Sequence, residues 1–201
     1  SGEDLHRFVG ARVFGVDPAD VTPTMRTKVK AMSYGLAYGL SPFGLSKQLR
    51  IETTEAKELI ADYFARFGAV RDYLRGVVEQ ARIDGYTTTI FGRRRPFADI
   101  TSTNRVLREN AERQALNSPI QGSAADIIKR AMLGIDADIR DRSLGSRMLL
   151  QVHDELVLEV APGELDELTA IVKDRMSGAA ELSVPLDVQV GTGANWDEAA
   201  H

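Results

Sequence analysis

Cysteine is missing altogether, which excludes disulfides and thiolate chemistry and fits a reducing cytoplasm. No apolar run approaches the ~20 residues of a membrane span, and no secretory signal pattern opens the chain. Internal repeats and low-complexity segments are also lacking. The most telling absence is local: residues 21–50 carry five Lys or Arg and not one Asp or Glu. What is there is 201 residues, 43% hydrophobic and 27% charged, enough for one soluble domain or two small ones. The net charge of −4 conceals an asymmetry, for residues 82–108 hold six Arg against two acids. From residue 136 onward there are fourteen acids and five bases. Each run alone reads as a solvated face, but two basic zones beside an acidic end suit a polyanion cleft next to a metal site.

The acid-free stretch contains Arg26, Lys30, Tyr34 and Tyr38, spaced by four. On a helix over about 24–39 they share one side, drifting about 40° per step. Two cations followed by two phenol rings can hold phosphates first and a sugar or base next. Gly39 and the Ser41-Pro42 pair end that helix.

Around it the sequence predicts helices first and a small sheet late, an α+β chain. An opening helix runs through Phe8, Val9 and Val13, and a short one reaches Arg50. Thr53 or Thr54 caps a longer helix that Gly68 stops. Next is a helix over 69–84 with Val70, Leu74, Val77, Val78 and Ala81 as its buried stripe. Residues 85–96 predict a β-hairpin around a glycine turn. A helix to about Asn117 is expected to break at Ser118-Pro119, with a second over 122–139. Two β-rich segments, 147–152 and 155–160, predict a tight hairpin. A helix from Pro162 to about Gly178 and a strand over 186–191 follow, then a polar tail.

Three constellations bear chemistry. His153, Asp154 and Glu155 form the tip of the second hairpin; they read either as a polar turn or as exposed carboxylates for a hard cation. Arg113, Asn117 and Gln121, spaced by four, are either a solvated helix face or donors for the duplex minor groove. Groove acceptors are presented there alike whatever the sequence. Arg93, Arg94 and Arg95 are a weaker sign, a phosphate contact or a salt-bridged surface.

Taken together these residues resemble a known family. Arg26-x-x-x-Lys30-x-x-x-Tyr34-Gly35-x-x-Tyr38-Gly39 resembles motif B of family A DNA polymerases of the bacterial polymerase I type. Gln151-Val-His153-Asp154-Glu155 resembles their motif C. Arg113, Asn117 and Gln121 to Asp126 match the stretch between, and Gly193-x-Asn195-Trp196 matches the family's ending, so the likeness spans the chain.

The resemblance implies template-directed transfer of a nucleotide from dNTP to a primer 3′-hydroxyl by two-metal catalysis. Arg26, Lys30 and His6 would bind the triphosphate, with Lys30 the proton donor to the leaving pyrophosphate. Tyr34 would pack on the sugar and Tyr38 guard the templating position. Asp154 would ligate Mg2+ with Glu155 in support, and Arg113, Asn117, Gln121 and His153 would hold the primer–template minor groove. It also implies a mainly helical fingers subdomain over 1–110 and the C-terminal part of a palm over 111–201, whose small antiparallel sheet carries the His-Asp-Glu tip. The family's first palm motif, with its own catalytic aspartate, is expected upstream together with the thumb. The 201 residues alone are therefore expected not to polymerise. Primer–template DNA, dNTP and those upstream segments are the implied partners, with no membrane, in a cytoplasmic, nucleoid-associated bacterial protein. Many members have Phe where Tyr34 stands, and a hydroxyl there implies poor discrimination against dideoxynucleotides. Two other classes compete: a nucleotide- or DNA-binding module without catalysis, and a metal-dependent nuclease, for which motif B has no use.

Overall fold

Val9, Val13, Val29, Met32 and Leu36 recur at three-, four- and seven-residue spacings, and these side chains gather into one core. They come from α1 (Leu5–Phe14) and α2 (Pro23–Ala37), joined through a 3-10 turn at Pro18–Asp20 that Asp17 caps. Leu45 of α3 (Pro42–Leu49) and Ala56 and Tyr63 of α4 (Thr53–Arg66) complete that core. Residues 5–37 and 39–199 are described by this computed structural model. The chain divides after Gln121 into two units.

In the first unit α5 (Gly68–Asp84) ends at Gly85, whose φ of 78° lets the chain turn directly into a hairpin. Its strands are β1 (Tyr86–Thr88) and β2 (Arg94–Pro96), antiparallel, with Thr87 opposite Arg95. Phe97 and Ile100 beyond β2 pack with Ala81 of α5 and with Ala111 and Ala115 of α6 (Arg105–Asp141). Asn104 starts α6 by accepting from the amides of Val106 and Leu107.

The second unit is built on the later part of α6. Ile135 and Ile139 pack with Leu168, Ile171 and Val172 of α7 (Leu165–Ser177). Met148, Leu156 and Leu158 cover this core from β3 (Arg147–Val152) and β4 (Glu155–Glu159). That pair is antiparallel with an irregularity between Met148 and Leu150. A single turn, α8 (Trp196–Ala199), closes the described chain.

The architecture is α+β as expected, with both hairpins in place, and five local expectations fail. First, α6 does not break at Pro119. An interior proline removes one helical hydrogen bond and costs about 3 kcal/mol. Here Ser118 Oγ donates to the Gln114 carbonyl at 2.7 Å, and Arg95 Nη1 donates to Ser118 Oγ at 3.0 Å, so neighbours hold the turn. Second, residues 186–191 form no strand: β3 and β4 pair only with each other among the described residues, and a strand without a partner has no ladder. Third, Val70 is exposed and not part of the α5 stripe, which is carried by Leu74 and Ala81. Fourth, α4 starts from Glu52 without a side-chain cap, not from Thr53 or Thr54. The helix expected from Pro162 begins only at Leu165.

Candidate functional site

The α2 helix is capped at its start by Thr22, whose Oγ1 accepts from the Met25 amide at 3.2 Å. At its end Gly39 takes φ 70°, and the Leu40 amide donates back to the Gly35 carbonyl at 2.8 Å. Between these caps Val29 and Met32 are fully buried and Leu36 nearly so, which fixes the rotation of the helix. The opposite side therefore presents Arg26, Lys30 and Tyr34 outward, with Tyr34 53% exposed. Lys28, just off this row, pairs with Glu55 at 3.4 Å, while Lys30 meets no carboxylate among the described residues.

His6, half-buried on α1, reaches the same face. Its ring stands edge-on to that of Tyr34, centroids 5.9 Å apart at 85°. Tertiary packing thus adds an imidazole to the cation-then-ring row. Tyr38 lies outside the described residues.

On α6, Arg113 and Gln121 are exposed and Asn117 is half-buried. The turn at Gly39 is brought against the first of them: a β-carbon on Gly39 would lie 3.3 Å from Arg113 Cγ. So the C-terminal end of the α2 face and the start of the α6 row adjoin within one unit.

Arg95, rated weak on sequence, is the residue that reading undervalued. Its Nη2 donates to Gln114 Oε1 at 3.1 Å, beside the Ser118 contact, and its guanidinium lies 5.3 Å from the Phe97 ring centroid. Arg94 instead lies over Tyr86 at 4.6 Å. A proline within an otherwise helical, donor-rich stretch was the available sign that something must hold it.

In the second unit Val152 pairs with Glu155, which makes His153 and Asp154 the two-residue turn of the hairpin. All three tip residues are exposed. His153 has φ 54°, a left-handed conformation at the position where such turns favour glycine, and Gln151 Nε2 donates to its carbonyl. The far end of the hairpin is clamped. Glu164 accepts from the amides of Gly145 and Ser146, each at 2.9 Å, and from Ser146 Oγ at 2.6 Å. Ser146 Oγ in turn accepts from the Ala161 amide. The Ser146 hydroxyl first, then these amides, hold the Glu164 carboxyl below its ordinary pKa.

No group of three or more His, Cys, Asp or Glu able to hold a metal occurs among the described residues. Asp154 and Glu155 are nonetheless hard, exposed oxygen donors. Mg2+ keeps several waters and takes one or two protein carboxylates plus substrate phosphates, so the pair fits as part of such a site and not as a complete one.

Residues 1–198 match DNA polymerase family A, and the chain belongs to that family. It is 62% identical over 201 residues to DNA polymerase I of Mycobacterium tuberculosis, covering 100% of this chain and 22% of that protein. The same-named protein of Caldicellulosiruptor bescii is 49% identical over 195 residues, covering 97% and 23%. Among solved structures, the POL domain of Pol1 from M. smegmatis, in complex with DNA primer-template and dNTP, is 60% identical. Its TM-score is 0.93, and the match covers 100% of this chain and 35% of that one. The chain spans about a fifth of the length of the curated relatives.

Proposed function

We propose that the protein to which this chain belongs performs template-directed DNA synthesis, joining the α-phosphorus of a dNTP to a primer 3′-hydroxyl and releasing pyrophosphate. The observation that carries this reading is the exposed α2 face, where Lys30 and Tyr34 present ammonium and phenol, His6 of α1 adds an imidazole against Tyr34, and the end of the helix rests on Arg113. Arg26, Lys30 and His6 bind the triphosphate, and Tyr34 packs on the sugar with Tyr38 beside the templating base. Lys30 delivers a proton to the departing pyrophosphate oxygen. Arg113, Asn117, Gln121 and His153 grip the minor groove through contacts that read duplex geometry.

Asp154, with Glu155 in support, would hold Mg2+, which when bound as one of a pair would supply Lewis-acid stabilisation of the charge on the phosphoryl oxygens and activation of the 3′-hydroxyl. Such a pair needs carboxylates from more than one segment, and the second aspartate belongs to the upstream palm segment. In this reading residues 1–110 are fingers and 111–201 palm, α2 closes over the paired nucleotide as a gating step, and the protein works on chromosomal DNA in the cytoplasm. No described helix is long and apolar enough to cross a membrane.

Primer extension with Mg2+ tests the proposal. The longer protein extends, and the 201-residue chain does not; extension by the short chain overturns the incomplete-site part, and failure of the longer protein overturns the whole. A second reading, a nucleotide- or DNA-binding module without catalysis, needs only the exposed Arg26, Lys30 and Tyr34 face. Lys30-dependent dNTP binding by the longer protein without extension would select it.

A further inference from the structure

Ser118 and Pro119 sit inside α6 between Asn117 and Gln121, two members of the proposed minor-groove row. The nitrogen of Pro119 has no hydrogen to give the carbonyl four residues back, and its ring pushes Ser118 away from the helical region. A helix left to itself would open or swing here, and the spacing-by-four that aligns Arg113, Asn117 and Gln121 would be lost. The structure shows one continuous helix instead. Ser118, only 5% exposed, bonds back to the Gln114 carbonyl at 2.7 Å, and its hydroxyl accepts from Arg95 Nη1 at 3.0 Å. The second guanidinium nitrogen of Arg95 takes Gln114 Oε1 at 3.1 Å. One planar fork from β2 therefore grips both ends of the turn that immediately precedes the proline.

We infer that Arg95 is a positioning residue for primer–template binding: its fork holds α6 helical across Pro119 and so keeps Arg113, Asn117 and Gln121 in one row. The inference rests on the reading of that row as a minor-groove contact. Arg95 is exposed and cationic, so the rival account is a direct salt contact with a DNA phosphate. The two accounts differ in what Pro119 has to do with it. If Arg95 compensates for the proline, restoring the missing N–H makes Arg95 dispensable; if it touches phosphate, the proline is irrelevant.

The test is primer–template affinity by fluorescence anisotropy in the full polymerase, for Arg95→Ala, Pro119→Ala and the double variant. Arg95→Ala weakens affinity about tenfold, the size expected for one lost charge-assisted hydrogen bond. Pro119→Ala stays near the parent, and the double variant returns to within about threefold of it, a non-additivity that only coupled neighbours show. The KM for dNTP is unchanged throughout. Ser118→Ala, which removes both the acceptor of Arg95 Nη1 and the bond back to the Gln114 carbonyl, reproduces part of the loss and combines with Arg95→Ala to less than the sum of the two. A double variant as weak as Arg95→Ala alone, or additive losses from Ser118→Ala, overturns the inference. A parent that fails to bind primer–template at all overturns instead the functional reading on which it rests.

Discussion

Gly39 rests against the stem of Arg113: a β-carbon at position 39 would come within 3.3 Å of Arg113 Cγ and 3.7 Å of its Cβ. Position 39 also has φ 70°, which a side chain resists. Gly39→Ala is therefore expected to lower the stability of the longer protein by about 1–2 kcal/mol, through backbone strain and crowding together. Because the crowding falls on Arg113, primer–template affinity should fall several-fold while dNTP affinity in the binary complex changes less. Thermal melting and anisotropy check this; loss of stability without loss of DNA affinity would show that Arg113 is not displaced.

Tyr34 has a free edge toward solvent and an edge-on contact with His6. A hydroxyl near the 3′ position of a bound nucleotide can stand in for the one a dideoxynucleotide lacks. Tyr34→Phe should raise the ratio of deoxy to dideoxy incorporation at least several-fold, measured in competition. Equal ratios in parent and variant would end the idea.

Asp154→Ala should abolish extension with primer–template binding largely intact, since in the proposed function it removes a metal ligand and no groove contact. Lys30→Ala should both weaken dNTP use and slow turnover, by about 10²-fold or more if the ammonium is the general acid. An Asp154→Ala polymerase with unchanged turnover would contradict the metal role.

His153 holds a left-handed turn position that costs a non-glycine residue of order 1 kcal/mol or more. His153→Gly should relieve part of that strain, leaving the melting temperature unchanged or higher. Extension efficiency should nevertheless drop if His153 makes the groove contact proposed for it. Such an opposition of stability and activity separates a functional histidine from a merely tolerated one.

Glu164 offers a pH prediction. Its carboxyl is held below the ordinary glutamate value, first by the Ser146 hydroxyl and then by the Gly145 amide. A lowered folded-state pKa contributes stability that is fully present above the unfolded value, about 4.3, and lost as pH falls through the lower folded value. Melting of the parent should therefore decline with acid below about pH 4.3, whereas Glu164→Gln starts lower and lacks that step. Hydrogen exchange at Gly145 and Ser146 locates the effect.

Much of this was readable in advance because it is local. The four-residue recurrence of Arg26, Lys30 and Tyr34 defines a helix face wherever the helix lies, and Val29, Met32 and Leu36 define its reverse. A two-residue link between β-rich segments fixes the pairing of Val152 with Glu155, and with it Asp154 in the turn. Two of the failures are places where a distant partner decides. Residues 186–191 have the alternation of a strand but no neighbour among the described residues to bond with. Ser118-Pro119 carries a break signal that Arg95, more than twenty residues away, overrides.

By itself the sequence determined the periods: which residues share a helix side, where a glycine lets the chain turn, and which carboxylate falls at a hairpin tip. These follow from backbone geometry within a few residues. Only the tertiary structure decided that His6 stands against Tyr34, that Gly39 abuts Arg113, and that the Arg95 fork carries α6 across its proline. Each of those depends on side chains far apart in the chain meeting through the burial of an apolar core, and no local period encodes such a meeting.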